Sequence, residues 1–502
     1  MSAIVIGAGV GGLACAARLA AAGHRVTVLE QAPVVGGKLG LLERDGHRFD
    51  TGPSLLTLPW TLGDTLRATG VDIDDVLDLQ RLDPIARYRF ADGSTLDASA
   101  DEQTFLTGLD AAFGAGSGVQ WSALMQRAER IWDASAGPVL QSALRGPQDL
   151  LPLAANPRDL AAVAPHRSLR SLGREYLSDP RLRMLLDRYA TYSGSDPRRA
   201  PAALVTVAYA ERRWGGWYVA GGLRRIALVL AARVTALGGV IRTGVRVAQV
   251  EIAGGRVTGV RLAGGERLGA DVVVANADAA TVADRLLPRP DSASLRRRLR
   301  WAPRSLSGFV MLLGVDRSAL RGDAAAMPGH TVLFPADYDA EFDGLFGAQP
   351  RYVTDPTIYV SVPRDPAVAP EGRESWFVLV NAPRTDQVAA PPTGYSDRVL
   401  QLMAQRGVDV RDAVRLRVER TPADLQRDTL TPGGAIYGTS SNGPLAAFLR
   451  PPNIGPVEGL YLVGGSSHPG GGLPMVLLSA AIVADALAPL THRPSRPVTA
   501  TH

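Results

Sequence analysis

The feature that most constrains this chain is a cluster of glycines near its start, placed between a short apolar run and a small-residue helix. Ala3-Ile4-Val5-Ile6 has the length of a strand, Gly7-Ala8-Gly9-Val10-Gly11-Gly12 follows at once, and Leu13-Ala14-Cys15-Ala16-Ala17-Arg18-Leu19-Ala20 has helical Leu/Ala spacing. Strand, glycine turn and helix together open a dinucleotide-binding unit. Gly7 permits the tight turn, Gly9 lets the backbone approach a diphosphate, and Gly12 lets the helix pack closely on the strand. The anion then rests on the helix N-terminus, where free N–H groups and the macrodipole favour negative charge. A second strand, His24-Arg25-Val26-Thr27-Val28-Leu29, ends in Glu30, eighteen residues beyond Gly12. An acid there accepts hydrogen bonds from an unphosphorylated ribose. A signal peptide or membrane span is the competing reading of residues 1–23. Against it, no basic residue precedes the apolar run, Arg18 interrupts it, and the glycines weaken a spanning helix.

The next stretch separates one class of dinucleotide from another. Gln31-Ala32-Pro33-Val34-Val35-Gly36-Gly37-Lys38-Leu39-Gly40, followed by His47-Arg48-Phe49-Asp50-Thr51-Gly52-Pro53-Ser54, resembles the extended signature of the flavin amine oxidase and phytoene desaturase superfamily. In that superfamily the Gly-Gly-Arg/Lys turn adds backbone contacts to the ribose and diphosphate. The resemblance implies FAD, with Gly7, Gly9, Val10, Gly11, Gly12, Glu30, Gln31, Gly36, Gly37, Lys38, Leu39, Gly52, Pro53 and Ser54 as the first set of cofactor-binding candidates.

Two later segments continue it. Gly216-Trp217-Tyr218-Val219-Ala220-Gly221-Gly222 leads into a Leu/Ala/Val helix and a strand around residues 240–247, and strands 256–262 and 267–274 end in Ala275-Asn276-Ala277-Asp278. The resemblance implies an adenine contact at Val247 and a diphosphate crossing at Asn276 and Asp278. The last segment runs from Leu460-Tyr461-Leu462-Val463 through Gly464-Gly465-Ser466-Ser467-His468-Pro469-Gly470-Gly471-Gly472 to Leu473-Pro474-Met475-Val476-Leu477. A strand entering a glycine loop and then a helix is another anion-cradling geometry. Gly464, Gly465, Gly472, Pro474, Met475 and Val476 are its candidates.

This third run narrows the likeness to the bacterial carotenoid (phytoene) desaturases, and Tyr189-Ala190-Thr191-Tyr192, Gly194-Ser195-Asp196-Pro197 and Asp355-Pro356-Thr357-Ile358-Tyr359 extend it over residues 3–490. Members of that family remove two hydrogens from a carbon–carbon single bond of a polyene, passing a hydride to flavin N5. The polyene stabilises the allylic cation and acidifies the neighbouring proton, so no strong base is required. His468 is therefore read either as a base or as a loop-ordering residue. Trp217-Tyr218-Val219 and Ser440-Ser441-Asn442-Gly443-Pro444, with Gly471, Met475 and Leu477, lean toward the branch acting on the 3,4-bond of hydroxylated acyclic carotenoids. Phytoene or diapophytoene desaturation, retinol saturation and terminal oxidation stay open. So do amine oxidation and a prenyl-binding chaperone of the same fold. Tyr189, Tyr192, Trp217, Met475 and Leu477 are the candidates to line the substrate path.

Composition bounds the rest. The basic excess is only five charges, which does not call for nucleic acid. Lys38 is the single lysine, and the single cysteine, Cys15, excludes an intrachain disulfide, so the redox chemistry belongs to a cofactor. No metal-ligand spacing occurs among the seven histidines. No run reads as a spanning helix, and a carotenoid substrate implies peripheral contact on the cytoplasmic side of a membrane. Trp121-Ser122-Ala123-Leu124-Met125, Leu150-Leu151-Pro152-Leu153-Ala154-Ala155 and Leu295-Arg296-Arg297-Arg298-Leu299-Arg300-Trp301 are the lipid-facing candidates, the last, taken alone, reading slightly better as a solvated basic helix face next to the core. The electron acceptor, oxygen or a quinone, and the oligomeric state stay open.

The expected fold is α/β: a Rossmann-like FAD-binding domain from three segments (1–75, 215–290 and 425–490), a mixed-sheet substrate domain (291–424), a helical lid or membrane-contact region (76–214), and a disordered tail (491–502).

Overall fold

The computed structural model describes residues 1–144, 146–150, 156–444 and 446–487. The tail from 491 on and residues 151–155 of the second lipid-facing candidate lie outside the described residues.

Five parallel strands form the first sheet, in the order Leu460–Leu462, Val272–Ala275, Ser2–Ile6, Arg25–Leu29 and Val240–Arg242. The central strands are nearly continuous apolar runs because both faces are covered. Val5 pairs with Val274 on one side and Val28 on the other, and each of the three is fully buried. Helices Val10–Ala21, Arg224–Ala236 and Leu473–Leu487 share one core with this sheet. The antiparallel strands Val247–Ala253, Arg256–Leu262 and Arg267–Gly269 close the other face. Helix Ala293–Trp301 joins that second core through Leu295 and Leu299, so the chain leaves the cofactor-side packing only after residue 301.

A seven-stranded mixed sheet stands opposite, ordered Val414–Arg420, Ser307–Asp316, Arg373–Ala382, Ile358–Ser361, His330–Leu333, Arg87–Arg89 and Thr95–Asp97. Its first strand alternates Val and Leu with exposed Arg and Glu, the period-two pattern of an edge strand with one wet face. The last two strands fall in the region expected to be helical. Three-residue strands carry too little periodicity to read, and they exist because Arg87–Arg89 finds a parallel partner in Thr331–Leu333.

Among the described residues the insertion contains the helices Glu102–Phe113, Ser117–Ser135, Leu169–Tyr176, Pro180–Thr191 and Val205–Trp214. The first lipid-facing candidate is corrected here. Trp121, Leu124, Met125, Ala128 and Ile131 fall on one helical stripe that packs into the insertion's own core, and Trp121 is fully buried. Among the described residues no helix is long and apolar enough to cross a membrane.

Candidate functional site

A cavity of about 970 Å³ opens at the carboxyl ends of the parallel strands, where Ile6, Leu29 and Val463 border it, and it extends to the seven-stranded sheet. Gly7, Gly9, Val10 and Gly11 line it, and Gly7 takes φ +96° to make the turn. The glycines are also required by a side chain from the second segment. Asn276 donates from Nδ2 to the Gly7 carbonyl at 3.2 Å. A Cβ on Gly9 or Gly12 would come within 2.9 Å of its side chain, and one on Gly464 within 2.6 Å. Asn276 is thus the wedge about which the first and third glycine loops close.

Glu30 accepts from the Ala8 N–H at 2.7 Å through one oxygen and from the Ala32 N–H at 2.8 Å through the other. A carboxylate has roughly four lone-pair positions, so two remain for ribose hydroxyls. Gly36 and Gly37 fold back onto the first turn: Gly36 N–H donates to Ala8 O at 2.9 Å, and a Cβ on Gly37 would lie 3.2 Å from Gly9 Cα.

Two further ties lock the three segments. Asp50 accepts from the N–H groups of Leu223 (2.7 Å) and Arg224 (3.2 Å), capping the helix of the second segment from the first. Lys38 Nζ donates to the carbonyls of Ala435 (2.9 Å) and Ile436 (2.6 Å), tying the first segment to the approach of the third. Its ammonium is enclosed by protein, and that burial pulls its pKa down to about 8 against the opposing charge of Asp278. The close-approach cradle, the half-used acid and the helix N-terminus together fit a ribose–diphosphate cofactor.

The opposite wall is made of side chains. Val310, Val332, Phe377 and Leu379 of the seven-stranded sheet, with Leu204 and Val207 of the insertion, give it an apolar surface. Polar groups interrupt it, a tyrosine cluster among them. Tyr189 Oη donates to Glu211 Oε1 at 2.7 Å, and Tyr192 Oη donates to Oε2 at 3.3 Å. Tyr359 Oη lies 2.5 Å from both Ser54 Oγ and His330 Nδ1. Burial, followed by the charge of Arg188, pushes His330 down to about 3, so the imidazole is neutral. Asp196 N–H donates to Asn442 Oδ1 at 2.9 Å, and Ser441 N–H to Ser195 Oγ at 2.8 Å, bringing together two motifs far apart in the chain.

The family model of the flavin containing amine oxidoreductases matches residues 10–488. The chain belongs to the flavin-containing amine oxidoreductase family. It is 34% identical over 491 residues to a 4,4'-diapolycopene oxygenase of Methylomonas sp., covering 96% of this chain and 97% of the relative. It is 31% identical over 498 residues to a 1-hydroxycarotenoid 3,4-desaturase of Flavobacterium sp., covering 96% and 98%. The crystal structure of an oxidoreductase from Methanosarcina mazei superposes with a TM-score of 0.65 at 18% identity, over 96% of this chain and 99% of that one, a likeness of fold. The protein is an FAD-dependent oxidoreductase.

In this flavoprotein the first-segment residues Glu30, Gln31, Gly36, Gly37, Lys38, Leu39, Gly52, Pro53 and Ser54 border the cavity. So do Val247, Asn276 and Asp278 of the second, and Gly464, Gly465, Gly472, Pro474, Met475 and Val476 of the third. Tyr189 and Tyr192 also line it.

Four expected residues do not. Gly12 lies beneath the turn, where a Cβ would stand 2.2 Å from the Gly7 carbonyl oxygen; it serves packing. Trp217 exchanges backbone hydrogen bonds with Leu56 and donates from Nε1 to Trp214 O at 2.8 Å, with its ring against the cofactor-side core. Leu477 is 1% exposed within that same core. His468 is 2% exposed, and its Nε2 lies 3.0 Å from the Ser142 carbonyl. A carbonyl only accepts, so Nε2 carries the proton. Burial holds its pKa down to about 4, and it orders the loop instead of facing the cavity as a base.

Arg188, Ser193, Tyr338, Tyr359 and Tyr437 border the cavity and were not singled out from the sequence. Tyr359 stood in the Asp355–Tyr359 motif without a role, and nothing local marks Arg188.

Proposed function

We propose that this enzyme desaturates an acyclic carotenoid, and that the bond is the 3,4-bond of a hydroxylated one. The observation that carries the reading is the continuity of one cavity from the glycine cradle into the wall of Val310, Val332, Phe377, Leu379, Leu204 and Val207. A polyene offers no polar group along most of its length, so it is held by apolar surface that also excludes water. Full-length likeness to a 1-hydroxycarotenoid 3,4-desaturase and to a 4,4'-diapolycopene oxygenase supports the carotenoid class. The first of these supports the bond.

The chemistry that FAD supplies when bound is acceptance of a hydride. The chain's residues do the rest. The cradle fixes the cofactor, and the apolar wall fixes the polyene against it at close range. With His468 turned into the loop, the cavity offers no strong imidazole base. The reaction needs none, since a proton beside a polyene-stabilised cation is lost readily.

The proposal extends to the surface. Helix Ala293–Trp301 buries Leu295 and leaves Trp301 70% exposed next to Arg297 and Arg300, an arrangement suited to an anionic lipid interface through which a water-insoluble substrate enters. The decisive experiment incubates the FAD-loaded enzyme with hydroxylated and unhydroxylated acyclic carotenoids and with phytoene, under oxygen or with a quinone, and reads the products by chromatography. New conjugation at the hydroxylated end supports the reading. Conversion of phytoene alone replaces it with phytoene desaturation, and no conversion of any polyene sinks it.

A further inference from the structure

A buried charge borders the cavity beside the tyrosine cluster. Arg188 sits in the last turn of helix Pro180–Thr191 and borders the cavity although it is only 5% exposed. Tyrosine rings frame its guanidinium, with centroids at 4.8 Å for Tyr192, 5.4 Å for Tyr88 and 6.0 Å for Tyr189. Among the described residues no carboxylate lies within ion-pair distance of it. Its single side-chain hydrogen bond, 3.3 Å long, goes to Tyr88 Oη. Glu211, 3% exposed, offers compensating charge, but its oxygens accept from Tyr189 and Tyr192.

A guanidinium carries five N–H donors, and buried donors without acceptors are costly. Arg188 borders the cavity, the side from which a ligand acceptor would reach the unused donors. A second observation points the same way: Tyr338 borders the same cavity, and its buried Oη has no partner among the described residues. The patch adjoins the cofactor side, because Ser54, the neighbour of Pro53, holds Tyr359.

We propose that Arg188, together with Tyr338, receives the oxygen of an acyclic polyene oxygenated at its end group. This rests on the desaturase reading of the same cavity and says which end of the substrate lies at the cofactor. A hydroxyl accepts from the guanidinium, whereas a hydrocarbon end leaves the donors unsatisfied. A site built to hydrogen-bond a hydroxyl rejects the analogue lacking it more strongly than an apolar pocket rejects an extra group. An oxygen anchored beside the cofactor loop holds the bonds next to the end group there, and keeps mid-chain bonds away.

The test titrates the FAD-loaded protein with a 1-hydroxylated acyclic carotenoid and with the hydrocarbon of equal conjugation, reading Kd from the polyene's absorption shift. The wild type should bind the hydroxylated polyene at least about tenfold more tightly, and Arg188→Met should bring the ratio close to one. Arg188→Lys should retain part of the preference, and Tyr338→Phe, which removes only a hydroxyl, should lower it roughly threefold. These two conservative variants carry the test if Arg188→Met does not fold. Equal wild-type affinities, or equal weakening of both polyenes in every variant, would overturn the proposal. Hydroxyl-selective binding that depends on Arg188, without any desaturated product, would support the anchor while sinking the desaturase reading.

Discussion

Where the cavity meets the parallel sheet, glycine loops make much of its surface; where it meets the seven-stranded sheet and the insertion, aliphatic and aromatic side chains prevail. The cofactor wall gains precision from close approach. Asn276 reaches the Gly7 carbonyl because Gly9, Gly12 and Gly464 lack a Cβ, and Glu30 holds the turn by two backbone N–H groups. The opposite wall is assembled from groups contributed by separate elements: Tyr192 and Arg188 from one helix end, Glu211 from another helix, and Tyr359 and His330 from neighbouring strands. A wall of backbone tolerates almost no added atom. A wall of side chains tolerates exchange and changes what it accepts.

The largest expected effect follows on the first wall. Gly12→Val drives a branched side chain into the Gly7 carbonyl, 2.2 Å from the Cβ position, so the first unit should not close and no flavin should copurify. Gly9→Val, with its Cβ 2.9 Å from Asn276 Nδ2, should likewise abolish flavin retention. A folded, fully yellow Gly12→Val protein would break the account of the cradle.

The next effect concerns acid stability. His468 titrates at about 4 in the fold, against an ordinary value of 6.5. As pH falls below 6.5 the unfolded chain takes the proton first, and the folded protein takes it only near 4. Stability is therefore lost across that window, by about 3 kcal/mol at its lower end, and is unaffected by this group above pH 6.5. His468→Gln should flatten this part of the stability profile in denaturant titrations at pH 7, 5.5 and 4.5. An unchanged slope would mean that the loop does not bury a neutral imidazole.

Glu30→Ala strands the Ala8 and Ala32 N–H groups, a loss of about 1–3 kcal/mol, and should weaken flavin binding roughly 10- to 100-fold. Flavin fluorescence on dilution measures it, and retention equal to the wild type would remove Glu30 from the cofactor wall.

The smallest effect on stability belongs to a side chain that borders the cavity from the cofactor-side helix. Met475→Gly, in the first turn of helix Leu473–Leu487, should cost no more than about 1 kcal/mol in propensity. It should nonetheless shift the position of desaturation or admit less unsaturated polyenes, as chromatography of products would reveal. Identical products and turnover would take Met475 off the polyene's path and leave the difference between the two walls resting on Arg188.

The cradle was legible because its parts are neighbours in the chain. One strand, one turn and one helix carry Gly7 to Gly12, and Glu30 follows at the end of the next strand. Helical arithmetic would also have separated Met475 from Leu477: two residues at 3.6 per turn lie about 200° apart, so when one faces the cavity the other faces the core. Trp121 to Ile131 likewise carry the spacing of a core stripe, which apolar content alone misread as lipid-facing. Trp217 and His468 had no such local correction. Trp217 turns inward because residues 55–57 and 79–81 pair with its strand, and His468 because Ser142, from the distant insertion, supplies its acceptor.

The likeness to the flavin amine oxidase superfamily implied a flavin, and by itself the sequence determined that an α/β dinucleotide-binding domain forms and which backbone holds its ligand. These are properties of φ angles, missing Cβ atoms and short spans of chain. Only the tertiary structure decided what stands across from the cofactor. Arg188 and Glu211 are ordinary helix residues until folding sets Tyr88 of a distant strand beside the first and Tyr189 and Tyr192 beside both. Their burial is created by contacts between separate elements of the chain.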